Sequence, residues 1–338
     1  MKAKALICDE KQNFSIEEVN LKDINPCEIL VKTSYSGVSI GTEFSLISGK
    51  LNRGPYPLCT GYMGTGLVEA LGAKVDKFKV GDKVYIRQNM GLETLADGTK
   101  VSAVRGVHCS HIVISGDPNH THGAGHLYPG VSMEVASMFV MPAVGLFSVD
   151  MSNPKMGQTV VVYGAGLIGL GVIAACVHRG CIVIAVDINK KQLELAREMG
   201  ADYLIDGSSQ DVKEEVIRIV PDGADVVFEC TGIPACIDPA IDLCRRFGSF
   251  IWQGVYGRKP ITMHFLPAHE RQLTMHFPCD DGLTACRRAV IKNMAMGALK
   301  WDKLITHRVT YKDAPDIFSR INGGDKDIIG VVINWQNS

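Results

Sequence analysis

Three glycines, Gly164, Gly166 and Gly169, follow the β-branched run Thr159–Tyr163, and an acid, Asp187, follows the next apolar run, Cys181–Val186. Between the two runs, Leu170–His178 reads as a helix stopped at Gly180. Glycines in this pattern allow a tight turn and close backbone approach, a helix start offers free N–H groups to phosphate, and a carboxylate 23 residues on (187 − 164 = 23) accepts hydrogen bonds from ribose hydroxyls. These are the parts that hold a dinucleotide. The other reading, a structural glycine turn in an ordinary βαβ unit, leaves the acid and its spacing unexplained. Asp187 also bears on cofactor choice: its carboxylate accepts from a free 2′-hydroxyl and repels a 2′-phosphate, which favours NAD over NADP. Lys190 and Lys191 would soften that repulsion if they face the ribose; otherwise they are solvated residues at a helix start.

The elements that must position these residues are legible along the chain. Up to about Pro142 the sequence alternates short β-type runs, Glu28–Thr33, Gly66–Leu71, Lys83–Arg87 and His111–Ser115, with Gly, Pro and Asp, which predicts a compact, partly barrel-like β domain. Strands and helices then alternate: helix Lys191–Met199, strand Tyr203–Ile205, helix Val212–Ile219, strand Asp225–Glu229, helix Pro239–Arg245 and strand Ser249–Gln253. That order predicts a doubly wound parallel sheet. The C-terminal part returns to helix and ends in Asp327–Trp335, expected as a closing strand of the first domain. The chain therefore divides as 1–140 completed by 276–338, with 141–275 between.

At 338 residues two domains are the natural expectation, and 46% apolar with 21% charged residues describes an ordinary globular protein. The net charge is −1 and no long basic run occurs, so nucleic acid and anionic membrane are excluded as expected partners. Eleven cysteines without regular spacing, and an N-terminal segment interrupted by charge, predict free thiols in the cytoplasm. The apolar stretch Thr159–Val177 contains four glycines and fits strand, turn and helix better than a membrane span.

With these residues in hand, the chain resembles the medium-chain dehydrogenase/reductase superfamily, the alcohol, sorbitol and threonine dehydrogenases, over nearly its whole length. The segments that carry the resemblance include Met1–Leu6, Gly37–Glu43, Gly61–Gly66, Phe78–Val84, the glycine turn, Val186–Lys190, Glu229–Gly232 and Leu304–His307. It implies an α/β architecture: a GroES-like β domain plus a Rossmann domain, with an active site in the cleft. It further implies cofactor contacts at Gly164, Gly166, Leu167, Ile168, Gly169, Asp187, Ile188, Thr231 and Val255, a small-molecule substrate, and a homodimer or homotetramer built through a sheet edge near Ser249–Val255.

Departures from the zinc-dependent members are as informative. Where they place a cysteine ligand this chain has Ser39-Ile40, where they place histidine it has Tyr62, and where they often place glutamate it has Met141; the structural-zinc cysteines are missing. Serine, phenol and thioether are poor zinc ligands, so no metal is expected. Two other clusters, His108 with Cys109 and His111, and His120 with His122 and His126, are weighed as replacement metal ligands against polar surface or core roles. Without zinc, the alkoxide formed in hydride transfer must be served by a proton donor. Tyr62 offers a phenol that gives a proton to a carbonyl or, with a lowered pKa, takes one from an alcohol. Thr42 matches the relay hydroxyl of the zinc enzymes, Ser39 extends the relay, and Glu43 orients it or acts as base. Their structural alternatives are a space-filling ring, a loop-bracing hydroxyl and a buried salt-bridge partner, and Cys59 and Cys109 read as core thiols. The expected function is NAD(H)-dependent interconversion of a secondary alcohol, a polyol, sugar-derived or ring-bearing compound, with its ketone. A zinc-free quinone or enone reductase and a non-catalytic dinucleotide sensor are the alternatives.

Overall fold

The computed structural model describes residues 1–338, which form two compact units, Met1–Phe139 with Arg288–Ser338, and Val140–Arg287. In the first unit the strand Glu28–Val38 pairs with Gly64–Leu71, with His111–Ser115 and with the C-terminal strand Gly330–Asn334. The β-branched content of these runs suits a pleated, buried surface, and the chain's last strand fills a place left open by the first. Phe14, Phe44, Ile47, Phe318 and Trp335 pack into one of its cores, so N- and C-terminal segments share the same apolar cluster.

The second unit holds six parallel strands: β1 (Thr159–Tyr163), β2 (Ile182–Asp187), β3 (Tyr203–Asp206), β4 (Ala224–Glu229), β5 (Cys244–Trp252) and β6 (Thr274–His276). Their order is β3-β2-β1-β4-β5-β6, a Rossmann sheet whose direction reverses between β1 and β4. Val160, Val161 and Val162 of β1 are fully buried, as a strand covered on both faces requires. No helix is long and apolar enough to cross a membrane.

Three expectations are corrected here. The helix expected over Pro239–Arg245 is instead Ile237–Ile241, because Cys244 pairs with Ala224 and draws Cys244 and Arg245 into β5. Ser249–Val255 is not an edge: Ser249, Phe250 and Ile251 pair with Thr274, Met275 and His276, a strand of three residues too short to read from sequence. For the same reason the second crossing between units falls at Arg288 rather than 276, since β6 belongs to the parallel sheet.

Candidate active site

In the first unit the proposed proton-transfer residues converge at the start of the helix Ile40–Ile47. Ser39 is its N-cap, yet its hydroxyl makes no capping bond, because it accepts the Tyr62 phenol hydrogen at 2.5 Å. The cap is supplied from inside the helix instead: Glu43 Oε1 accepts the Ser39 backbone N–H at 2.8 Å. An acid in the first turn also faces the positive end of the helix dipole. Thr42 stands near the same phenol and, with Ser39, opposes the rise that burial imposes on it. Gly61 places the ring: it has φ +90°, and a Cβ there would meet the His108 ring at 2.8 Å, so only glycine lets the chain pass.

Glu43 is wholly buried and fully engaged. Its Oε2 accepts from Thr60 Oγ1 at 2.7 Å and lies 2.9 Å from His108 Nε2. A carboxylate turned inward in this way shows no face to a substrate, which speaks against the general-base option and for the orienting one. Arg87 donates to the Tyr62 carbonyl at 2.6 Å and sets its guanidinium 5.3 Å from the ring centre. Burial pushes the Tyr62 phenol above the ordinary tyrosine value; the Ser39 and Thr42 hydroxyls and Arg87 lower it, and Glu43 adds to the rise. The option of a lowered phenol is thereby corrected, and Tyr62 stays protonated at neutral pH.

The residues weighed as replacement metal ligands do not converge. His108 is bonded at both ring nitrogens, His111 lies beside Ser110 and Glu69, and His126 is 3.0 Å from Asp82 while stacking on Phe78. No group of three or more His, Cys, Asp or Glu side chains is arranged to hold a metal ion. Cys59 and Cys109 are buried, and burial pushes the Cys109 thiol up to about 12, so these are core thiols rather than nucleophiles.

In the second unit the glycine turn lies at the carboxyl end of β1, beside the reversal in strand order where ligands bind such sheets. Gly164 has φ +100°, and a Cβ at Gly169 would stand 2.0 Å from the Gly164 carbonyl oxygen, so both pack the turn against the helix Leu167–His178. Gly166, the N-cap of that helix, is exposed with open space where its side chain would be. Leu167 and Ile168 are half-buried in the first turn. Asp187 ends β2, with Oδ2 accepting from Ala165 N–H at 2.7 Å and Oδ1 from Asn189 N–H at 2.8 Å. Each oxygen keeps a further lone pair for a ribose hydroxyl. Ile188 and Val255 are exposed apolar side chains at the ends of β2 and β5. Thr231 is differently engaged: its hydroxyl donates to Glu229 and accepts Ile233 N–H at 3.0 Å, bracing a turn.

Two parts of this picture were missed by sequence reasoning. Glu229 is buried and accepts from Thr231, from Gly232 N–H and from the Tyr256 hydroxyl, and it locks the loops that end β4 and β5. The buried His108–Glu43 contact joins residues 65 apart, and nothing local in the sequence pairs them.

Residues 25–150 match the alcohol dehydrogenase GroES-like domain family and residues 168–295 the zinc-binding dehydrogenase family. Together the two domain matches indicate the zinc-type alcohol dehydrogenase superfamily. The chain is an enzyme of the medium-chain dehydrogenase type. Sorbitol dehydrogenase of Bacillus subtilis is 28% identical over 289 residues, 79% of this chain and 80% of the relative. Among solved structures, a zinc-binding dehydrogenase of Sinorhizobium meliloti with NADP bound superposes with a TM-score of 0.85 at 22% identity, covering 99% of both chains. An alcohol dehydrogenase of Escherichia coli CFT073 in complex with NADH gives 0.83 at 21% identity, covering 98% of this chain and 99% of that one. At such identities these structures establish the shared fold.

Proposed function

We propose that this enzyme interconverts a secondary alcohol and its ketone with NAD(H), without a catalytic zinc, using the Tyr62 phenol as proton donor and acceptor. The observation that carries the proposal is the 2.5 Å hydrogen bond from Tyr62 to Ser39; the two hydroxyls stand at positions that, by the resemblance of the sequence, correspond to metal ligands in the zinc enzymes. Zinc needs a thiolate, carboxylate or imidazole with a free lone pair. Here Glu43 and both nitrogens of His108 are committed elsewhere and the nearby thiols are held protonated by burial, so the donor set suits protons rather than a metal. The glycine turn with Asp187 suits a nicotinamide dinucleotide: the open Gly166 start of a helix takes pyrophosphate and Asp187 takes ribose, with NAD favoured.

A bound nicotinamide supplies the hydride in reduction and takes it in oxidation. Tyr62, neutral at working pH, gives its proton to the carbonyl oxygen as negative charge develops there. Its oxygen is then reprotonated through Ser39 or Thr42, each hydroxyl passing on one proton as it accepts another drawn from solvent water, and reversal of the same transfers, with the proton released to solvent, serves alcohol oxidation. Arg87 and the inward-turned Glu43 fix the ring and the cap so that the phenol is aimed before substrate arrives. The polyol and alcohol dehydrogenases among the relatives support a polyol or sugar-derived substrate.

Turnover on a panel of polyols and ketones, with metal analysis and chelation of the purified enzyme, tests this reading. Tyr62→Phe is expected to leave dinucleotide affinity unchanged and to lower turnover by about 10²–10⁴-fold, the contribution of a general acid-base group. A stoichiometric metal whose removal abolishes turnover, or full turnover in Tyr62→Phe, would refute it.

A further inference from the structure

We infer that His108 is a positioning residue of the proton-transfer site: through a single directed chain of hydrogen bonds it holds the Glu43 carboxylate, which holds Ser39 and so aims Tyr62. The inference rests on the proposed role of Tyr62 and extends it to residues that never meet a substrate. Ser36, His108, Glu43 and Trp335 each have no solvent exposure, so every polar hydrogen among them must be placed within the protein. Trp335 Nε1–H can only donate, and it donates to Ser36 Oγ at 2.9 Å. Ser36 then directs its own hydrogen to His108 Nδ1, 2.8 Å away, which makes Nδ1 the acceptor. His108 therefore carries its hydrogen on Nε2 and donates it to Glu43 Oε2 at 2.9 Å. The neutral ring and the ionised carboxylate satisfy every group, whereas a charged ring would leave the Ser36 hydrogen with no acceptor in this chain.

The consequence reaches the reacting phenol. With His108 and Thr60 on Oε2, the other oxygen, Oε1, is left for the Ser39 backbone N–H, and the Ser39 hydroxyl is then free to meet Tyr62. Phe318 makes a T-shaped contact with the imidazole at 5.5 Å, and Gly61 packs so close to the ring that a Cβ there would stand 2.8 Å from it. Trp335 and Phe318 come from the C-terminal segment, so the last residues of the chain set the tautomer that fixes a group near residue 40.

Two substitutions separate positioning from packing, because asparagine and glutamine each reproduce one ring nitrogen. His108→Gln places its amide nitrogen near Nε2 and keeps a donor to Glu43; His108→Asn places it near Nδ1 and does not. We expect His108→Asn to lower kcat by about 10- to 100-fold, the effect of misplacing a reacting group, with the KM for dinucleotide unchanged, and His108→Gln to restore most of that loss. The double variant Tyr62→Phe/His108→Asn should be no slower than Tyr62→Phe alone. Equal kcat in the two single variants, or additive losses in the double variant, overturns the inference. Nitrogen-15 NMR of histidine-labelled wild-type enzyme needs no folded variant: the neutral Nε2–H tautomer is expected at neutral pH, and an Nδ1–H or charged ring overturns it. If Tyr62→Phe alone keeps full turnover, the functional reading fails instead, while the tautomer still reports on the pair.

Discussion

Single residues here are tuned by what surrounds them rather than by their type. Tyr62 and Asp187 are both half-buried side chains that bond strongly to hydroxyls, yet desolvation holds the Tyr62 phenol neutral while Asp187 sits at a strand end between two backbone N–H groups. Asp187 keeps its place through two backbone N–H groups, and those bonds would survive in part if the charge were removed. Asp187→Asn should therefore fold normally and lose discrimination against a 2′-phosphate, since the repelling charge is gone and Lys190 and Lys191 lie exposed just beyond. The ratio of NADH to NADPH affinity, measured by fluorescence titration, is expected to fall by about tenfold, or ~1.4 kcal/mol. A wild-type enzyme that binds NADPH more tightly than NADH would show this assignment to be mistaken.

Among the elements, the glycine turn divides into parts that fold the chain and a part that serves the ligand. Gly169 touches the carbonyl of Gly164, so Gly169→Ala must push the helix Leu167–His178 off β1, and overpacking of this kind costs about 1–3 kcal/mol. Gly166 has φ −67° and nothing within 4 Å of its missing side chain. Gly166→Ala should leave the melting temperature unchanged while its methyl group fills the open approach to the helix start, weakening dinucleotide binding by about tenfold. Thermal melts and titrations on the pair decide it: if Gly166→Ala melts lower but binds normally, the division of roles is the reverse of the one drawn.

At the scale of the whole molecule, both units carry buried thiols that behave alike. Cys109 in the first unit and Cys244 in the second are each pushed from about 9 to about 12, in both cases first by burial. A group whose folded pKa lies above its unfolded one stabilises fully below the unfolded value and loses that stabilisation as pH rises through the folded value. Stability should thus hold up to pH 9 and decline toward 12, with Cys109 alone contributing a slope near one proton, ~1.4 kcal/mol per pH unit. Denaturant unfolding of Cys109→Ala across this window should show a shallower slope than the parent enzyme, and an unchanged slope would remove the thiol from the account.

What the sequence determined by itself is whatever depends on neighbours along the chain. Residues 159–187 announce strand, turn, helix and acid because each part is set by local backbone chemistry, and His111–Ser115 and Val212–Ile219 were read to the residue for the same reason. Ser39, Tyr62 and Met141, the residue types on which the proposed zinc independence rests, are likewise plain in the sequence. Tertiary structure alone decided which way Glu43 faces, because its partners Thr60 and His108 come from distant loops, and it raised rather than lowered the Tyr62 phenol, because burial belongs to the folded chain. It also drew Cys244 and Arg245 from an apparent helix into β5 and added β6 beyond it, since strand pairing is a contract between segments that no single segment records.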